Sequence, residues 1–410
     1  MDARQAAELA ARNSYGRLVA YLAARSQDIG AAEDALGDAF LAALKTWSES
    51  NIPENPEAWL LVTARNRLID TARRSQVQNR VLHVLAESGL EDQSVRVLED
   101  VAFPDNRLKL LFVCAHPAID ASLHTPLMLQ TVLGLNAAQI ASAFLVAPTT
   151  MGQRLVRAKA KIRDAGIGFE LPTTEELPLR LSAVLEAIYA AYTTGWETVA
   201  GSDPGFRGLT TEAIWLARLC VQLMPTEPEA RGLLALMLYC EARREARCDD
   251  WGGYVPLLEQ DLTLWSQPMI AEAERELSHA ATFKELGRFQ LEAAIQSIHA
   301  QRIVTQQIDW HALALLYEGL IQLSPTLGAL VSHAAAIVET QGLDRGLQLL
   351  ETLPPEGVKN YQPYWALKAH LLRRLGHQSA AQQAYSRAIG LTENSAIREF
   401  LLAQSFGSDA

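Results

Sequence analysis

The chain has 410 residues, of which 49% are hydrophobic and 20% charged; this suits about two to four folded domains and excludes a disordered chain. The net charge of −11 argues against a chain that coats nucleic acid along its whole length, but the charge is uneven. Residues 1–172 carry 18 Lys+Arg against 19 Asp+Glu, and the remainder carries 18 against 28, so the acidity sits in the C-terminal part.

Alanine and leucine are abundant and β-branched runs are few, which predicts an all-α protein. The four cysteines, Cys114, Cys220, Cys240 and Cys248, form no CxxC pair. Cys114 and His116 alone do not make a metal site, so no metal or cofactor is expected. Unpaired thiols suit a reducing cytoplasm. No basic-then-apolar segment opens the chain and no apolar run approaches a membrane span, so a cytoplasmic protein is expected.

Residues 1–48 read as helices. Leu18, Val19, Tyr21 and Leu22 form one apolar patch. A second helix, from about Ala31 to Trp47, carries Ala35, Leu36, Ala39, Phe40 and Ala43 on one face. Ser48 to Pro56, with two prolines, reads as a loop, and Asn55-Pro56 as the start of the next helix. That helix runs to about Arg74. Leu61, Ala64, Leu68 and Ala72 form its packing face, while Trp59, Thr63, Asn66, Asp70 and Arg73 form a second stripe flanked by Arg65, Arg67 and Arg74. Residues 75–105 lose this pattern. Glu87, Glu91, Asp92, Glu99, Asp100 and Asp105 mark an acidic linker with some helical content.

Helical signal returns at Arg107. Asn136 to about Phe144 reads as a short helix capped by Asn136, Leu145–Ala147 as a turn, and Pro148 as the start of a second helix. In that second helix Met151, Leu155, Ala158 and Ile162 form the buried stripe. Arg154, Arg157, Lys159, Lys161 and Arg163 supply five positive charges with no acid among them. The pattern predicts a helix-turn-helix with a basic second helix. After Pro172 the chain becomes rich in alanine and leucine, with a loop at Trp251-Gly252-Gly253-Tyr254. In the last hundred residues, Trp365, Ala369, Ala381, Tyr385 and Ala388 fall on the aromatic and small positions of a tetratricopeptide-like unit around Gly376, and residues 309–325 resemble part of another.

These segments suit the opening of a nucleic-acid duplex. Unpaired bases need aromatic platforms, and phosphates need cations. Trp59 is expected to stack, Asn66 and Asp70 to meet base edges, and Arg65, Arg73 and Arg74 to hold phosphates, with Thr63 beside them on the same stripe. Taken singly, a tryptophan at a helix start is more often core, and helix arginines are usually a solvated face. In the basic helix, Thr149, Thr150 and Gln153 suit base edges, and Arg154, Arg157 and Lys159 suit phosphate or guanine. The plainer reading there is a helical hairpin with a basic surface.

The two modules, in this order, resemble a sigma-70 family factor of the extracytoplasmic-function type. The polymerase-binding helix of that group reads Asp-x-x-Gln-Glu-x-Phe or similar; here it reads Asp34-Ala35-Leu36-Gly37-Asp38-Ala39-Phe40, with Gly37 at the glutamine position. The resemblance implies that Asp34, Asp38 and Phe40 bind core RNA polymerase. It implies that the helix from Pro56 to Arg74 reads the −10 element of promoter DNA, and that the helix-turn-helix reads the −35 element. The implied division is 1–76 for sigma region 2, 77–106 for the linker, 107–168 for sigma region 4, 169–300 for a helical extension and 301–410 for tetratricopeptide-like repeats. Cys114-Ala-His-Pro117, Phe144-Leu-Val146, Glu241-Ala-Arg-Arg-Glu-Ala-Arg247, Leu257-Leu-Glu-Gln-Asp261 with Trp265, and Gln290 to His299 resemble one subgroup with such an extension. Members of that subgroup typically carry Arg or Lys near positions 262 and 264, where this chain has Leu262 and Leu264. The resemblance implies regulation through the extension, with a protein or small ligand as its partner. No Walker loop, dinucleotide fingerprint, HExxH or nucleophile triad is present, so an enzyme is not expected. The alternative is a tetratricopeptide-type scaffold whose sigma modules no longer engage polymerase.

Overall fold

The computed structural model describes residues 3–47, 52–78, 105–144, 146–196 and 204–406. Among them all regular elements are helices, apart from one isolated bridge between Cys248 and Tyr254. The all-α expectation holds. Contacts divide the chain into two compact units, Met1–Ala191 and Tyr192–Ala410.

The first unit opens with α1 (Ala3–Ser26), α2 (Ile29–Thr46) and α3 (Pro56–Gln78), which pack on one another. Leu18, Val19 and Leu22 of α1 and Ala35, Leu36, Ala39 and Ala43 of α2 are buried in the core, where the two helices pack together. Asp28 starts α2 two residues earlier than the pattern suggests, because its carboxylate accepts from the Ala31 amide at 3.0 Å. Asn55 starts α3 the same way, accepting from the Ala58 amide at 3.0 Å, with Pro56 at the first helical position. Leu60, Leu61 and Ala64 are the buried face of α3. This helix extends to Gln78, past the expected end; most of the expected acidic linker, residues 79–104, lies outside the described residues.

The unit continues through α4 (Arg107–Cys114), a 3-10 turn at Ala121–Leu123, α5 (His124–Thr131), α6 (Ala137–Ala143) and α7 (Pro148–Asp164). α5 comes so close to α1 that a Cβ on Gly16 would lie 2.0 Å from the Val132 carbonyl oxygen. Gly134, at φ +73°, lies beneath the Tyr15 ring, so both the conformation and the space demand glycine. The unit does not end at residue 168. α8 (Leu177–Trp196) begins on it: Arg180 donates to the Phe112 carbonyl at 2.6 Å, and Thr125 donates to the Ala187 carbonyl at 3.0 Å.

In the second unit, α9 (Pro204–Leu223) and α10 (Pro228–Ala242) lead into α11 (Gln267–Thr282) and α12 (Arg288–Ala300). α10 is buried along nearly its whole length and packs against α9, α11 and α12. Glu229 of α10 caps α12, accepting from the Phe289 amide at 2.9 Å and the Gln290 amide at 3.1 Å. Then follow α13 (Arg302–Thr305), α14 (Trp310–Leu323), α15 (Leu327–Gln341), α16 (Leu343–Glu351), α17 (Pro355–Val358), α18 (Gln362–Arg374), α19 (Gln378–Leu391) and α20 (Ser395–Ser405). Their cores hand over stepwise: α12, α14 and α15 share one cluster, α15, α16 and α18 the next, and α18, α19 and α20 the last. Ala369, Ala381, Tyr385 and Ala388 are buried in that last cluster and Trp365 packs on it, with Gly376 at φ +82° between α18 and α19.

Candidate nucleic-acid interface

α2 places Asp34, Gly37 and Asp38 on an exposed face, with Phe40 half-buried beside it. The same face carries Leu41 and Leu44, which are 57% and 48% exposed. Sequence reasoning missed these two. Their signal is apolar residues that fall off the buried stripe and continue the 34, 38, 41 spacing. Acids flanking bare leucines make a surface suited to a protein partner.

On α3, Asn66, Asp70 and Arg73 are exposed, while Thr63 and Arg65 are half-buried. The Arg74 side chain lies outside the described residues. Trp59 is not a fully open platform. It is half-buried and meets the buried Trp47 edge to face, with centroids 5.3 Å apart and planes at 69°. The pair ties the end of α2 to the start of α3. At the other side of α3, Glu57 forms an ion pair with Arg17 of α1 at 3.2 Å.

α6 and α7 are joined by residues 144–147, of which Leu145 lies outside the described residues. Asn136 caps α6 through the Ala138 and Gln139 amides, both at 3.0 Å, and the Asn136 amide donates back to Gln139 Oε1 at 2.9 Å. Met151, Leu155, Ala158 and Ile162 of α7 are buried. This leaves Thr149, Gln153, Arg154 and Arg157 exposed and Thr150 half-buried. Lys161 reaches the Ala118 carbonyl at 2.5 Å, and Arg163 lies 3.5 Å from Asp28 and 2.8 Å from Asp164.

Lys159 departs from expectation. Instead of facing outward with Arg154 and Arg157, it donates to Glu33 Oε2 of α2, and both side chains are only 11% exposed. The reason is its register. It stands four residues after Leu155 and three before Ile162, at the border of the buried stripe, where α7 packs on α2. Burial pushes the Glu33 carboxyl above its ordinary value, against the lowering effect of Lys159.

No helix is long and apolar enough to cross a membrane, and no cluster of metal-ligating side chains occurs, among the described residues.

Residues 12–77 match sigma-70 region 2, and residues 180–281 match a family of unknown function, DUF6596. An uncharacterized protein, R00370, of Rhizobium meliloti (strain 1021) is 36% identical over 399 residues, covering 94% of each chain. No solved structure matches. The region 2 match covers α2 and nearly all of α3 and points to transcription initiation, since a sigma-70 region 2 implies core RNA polymerase and promoter DNA as partners. The chain thus belongs to the same family as the Rhizobium protein, and its residues 12–77 carry a sigma-70 region 2.

Proposed function

We propose that this is an extracytoplasmic-function-type sigma factor that is regulated through its C-terminal extension. The observation that carries the reading is the order of parts: region 2 at residues 12–77, then the α6–α7 pair with its exposed Arg154 and Arg157. In this reading α2 binds core polymerase through Asp34, Asp38 and Phe40, joined by Leu41 and Leu44. Trp59, Thr63, Arg65, Asn66, Asp70, Arg73 and Arg74 read the −10 element and separate the strands. α6–α7 is a helix-turn-helix whose Thr149, Thr150, Gln153, Arg154 and Arg157 read the −35 element. Lys159 joins them only after leaving Glu33, so promoter engagement includes a separation of α7 from α2. Residues 77–106 act as the linker between the two DNA-reading regions, and the helical pairs up to α20 act as tetratricopeptide-like repeats. The protein works in the cytoplasm and does no covalent chemistry itself.

Run-off transcription with purified core polymerase and promoter fragments selected from genomic DNA tests this reading. A promoter-dependent transcript that requires the full chain is expected. Stable binding to a partner protein with no transcript from any promoter would favour the scaffold reading instead.

A further inference from the structure

Three segments of the second unit that the function above leaves unused come together in space. They are Glu241 to Arg247, the stretch from Leu257 to Trp265, and the end of α12 from Gln296 to His299. The Ser266 amide donates to the Ala242 carbonyl at 2.8 Å, and the Val255 amide donates to the Arg247 carbonyl at 2.9 Å. Arg243 donates to Gln296 Oε1 at 3.1 Å, and Arg302 donates to the Leu257 and Leu258 carbonyls, both at 2.9 Å.

The junction gathers positive charge. The guanidinium carbons of Arg243, Arg244 and Arg247 lie 5.5, 5.2 and 4.1 Å from the centre of the Trp196 ring. Arg244 is neutralised by Glu241 at 2.7 Å. Arg243, Arg247 and Arg302 form no ion pair among the described residues: Arg247 reaches only the Trp196 carbonyl at 2.7 Å, and Arg302 only the two carbonyls above. Of the acids nearby, Glu292 is engaged by Arg288 at 2.7 Å and Glu245 is exposed. His299 is buried beside Arg243 and Arg302, and its Nδ1 has no hydrogen-bond partner, nor has the buried Nε of Arg243.

Such a cluster is costly as it stands. Partly buried guanidinium groups without a counter-charge lose hydration, and Arg243 also repels Arg247; Arg302 is held below its ordinary value by burial alone. Burial and then Arg243 hold the Arg247 guanidinium below its ordinary value; burial, then Arg243 and Arg302, hold His299 down to about 4. An anion placed among them would reverse these effects. Planar guanidinium forks favour the paired oxygens of phosphate and carboxylate.

We propose that Arg243, Arg247, Arg302 and His299 form an anion-binding site that takes the phosphate or carboxylate group of a small molecule. The site lies within the second unit and does not depend on the chain being an active sigma factor. Occupancy would bind the hairpin around Cys248 and Tyr254, the loop from Leu257 and the end of α12 to one another.

The test is titration calorimetry on the full chain with inorganic phosphate and, separately, succinate, each against chloride at matched ionic strength. Saturable one-to-one binding of at least one probe is expected, and the preferred probe tells phosphate from carboxylate. Arg247→Gln and Arg302→Gln should each weaken binding at least tenfold, while Arg302→Lys should retain part of it. Circular dichroism confirms that each variant is folded. The Arg154→Ala/Arg157→Ala variant, which strips cations from α7, should bind as the parent does. Absence of saturable binding would overturn the proposal and leave Arg247 and Arg302 as caps of backbone carbonyls and Arg243 as a partner of Gln296. So would binding that survives Arg247→Gln and Arg302→Gln but disappears with the α7 variant.

Discussion

Lys159 of α7 is bonded to Glu33 of α2, and the pair is almost out of water. A carboxyl whose folded-state pKa is raised favours folding most when protonated. That contribution is present below its ordinary 4.5 and lost as the pH rises through the folded value, which places ionised Glu33 on the unfavourable side at neutral pH. Lys159→Met leaves that charge alone and should cost about 3–5 kcal/mol at pH 7.5. The loss should shrink as the pH falls and Glu33 takes up a proton. The double variant Glu33→Gln/Lys159→Met should match or exceed the parent in stability. Urea midpoints at pH 5 and pH 7.5 check this; equal losses for Lys159→Met at both would rule out charge as the cause.

If α7 reads DNA as proposed, the same pair separates its cations. Arg154→Ala/Arg157→Ala should weaken promoter binding and reduce the slope of log K against log salt by about 2, at about 0.9 per phosphate contact. Lys159→Met should change that slope less, because Lys159 starts bonded to Glu33. Filter binding across a salt series reads both. A slope unchanged in the arginine variant would remove α7 from the groove.

The packing of Trp59 against Trp47 and its proposed role in strand opening can be split by substitution. Trp59→Ala removes the edge-to-face contact with Trp47, worth about 0.5–1.5 kcal/mol beyond area burial, and should lower stability. Trp59→Phe keeps much of the packing with a smaller stacking surface. It should impair strand opening, read by permanganate reactivity of thymines, more than closed-complex affinity. Equal loss of both steps would make Trp59 a packing residue alone.

Gly37 stands exposed in the middle of α2, and a Cβ there would meet nothing within 4 Å. Gly37→Ala should raise stability by about 1 kcal/mol through helix propensity. The urea midpoint should rise without a change in m-value. Gly37→Gln fits the same space and should not weaken binding to core polymerase, measured by gel shift of the core.

The buried faces of α2 and α7 were legible because each repeats at helical spacing, and the starts of α3 and α6 because Asn55-Pro56 and Asn136 carry their own capping chemistry. Lys159 was misread because a charge is expected outside. Its neighbours at four before and three after, Leu155 and Ile162, were the available signal. Glu33 stands in the same relation to Ile29 and Leu36, yet no local rule says that two such border charges meet across 126 residues. The packing of α8 on the first unit was likewise hidden, since its buried face of Leu181, Val184, Leu185 and Ile188 does not say which helices it meets, and the bonds from Arg180 and Thr125 run to backbone carbonyls more than sixty residues away. The cation cluster around Trp196 draws on segments that are near one another only in the fold.

Burial separates the four thiols by reactivity. Cys114 and Cys220 are buried and pushed up to about 12 by burial, and buried Cys240 is raised as well. Cys248 alone is half-buried, bridged to Tyr254 and next in sequence to Arg247. A maleimide dye should therefore label the natural chain at one position without any cysteine being removed. The second unit thus carries a built-in attachment point for a fluorophore, a few residues from Trp251, which is 94% exposed. Changes around that hairpin during transcription initiation could be followed by light from a protein of unaltered sequence.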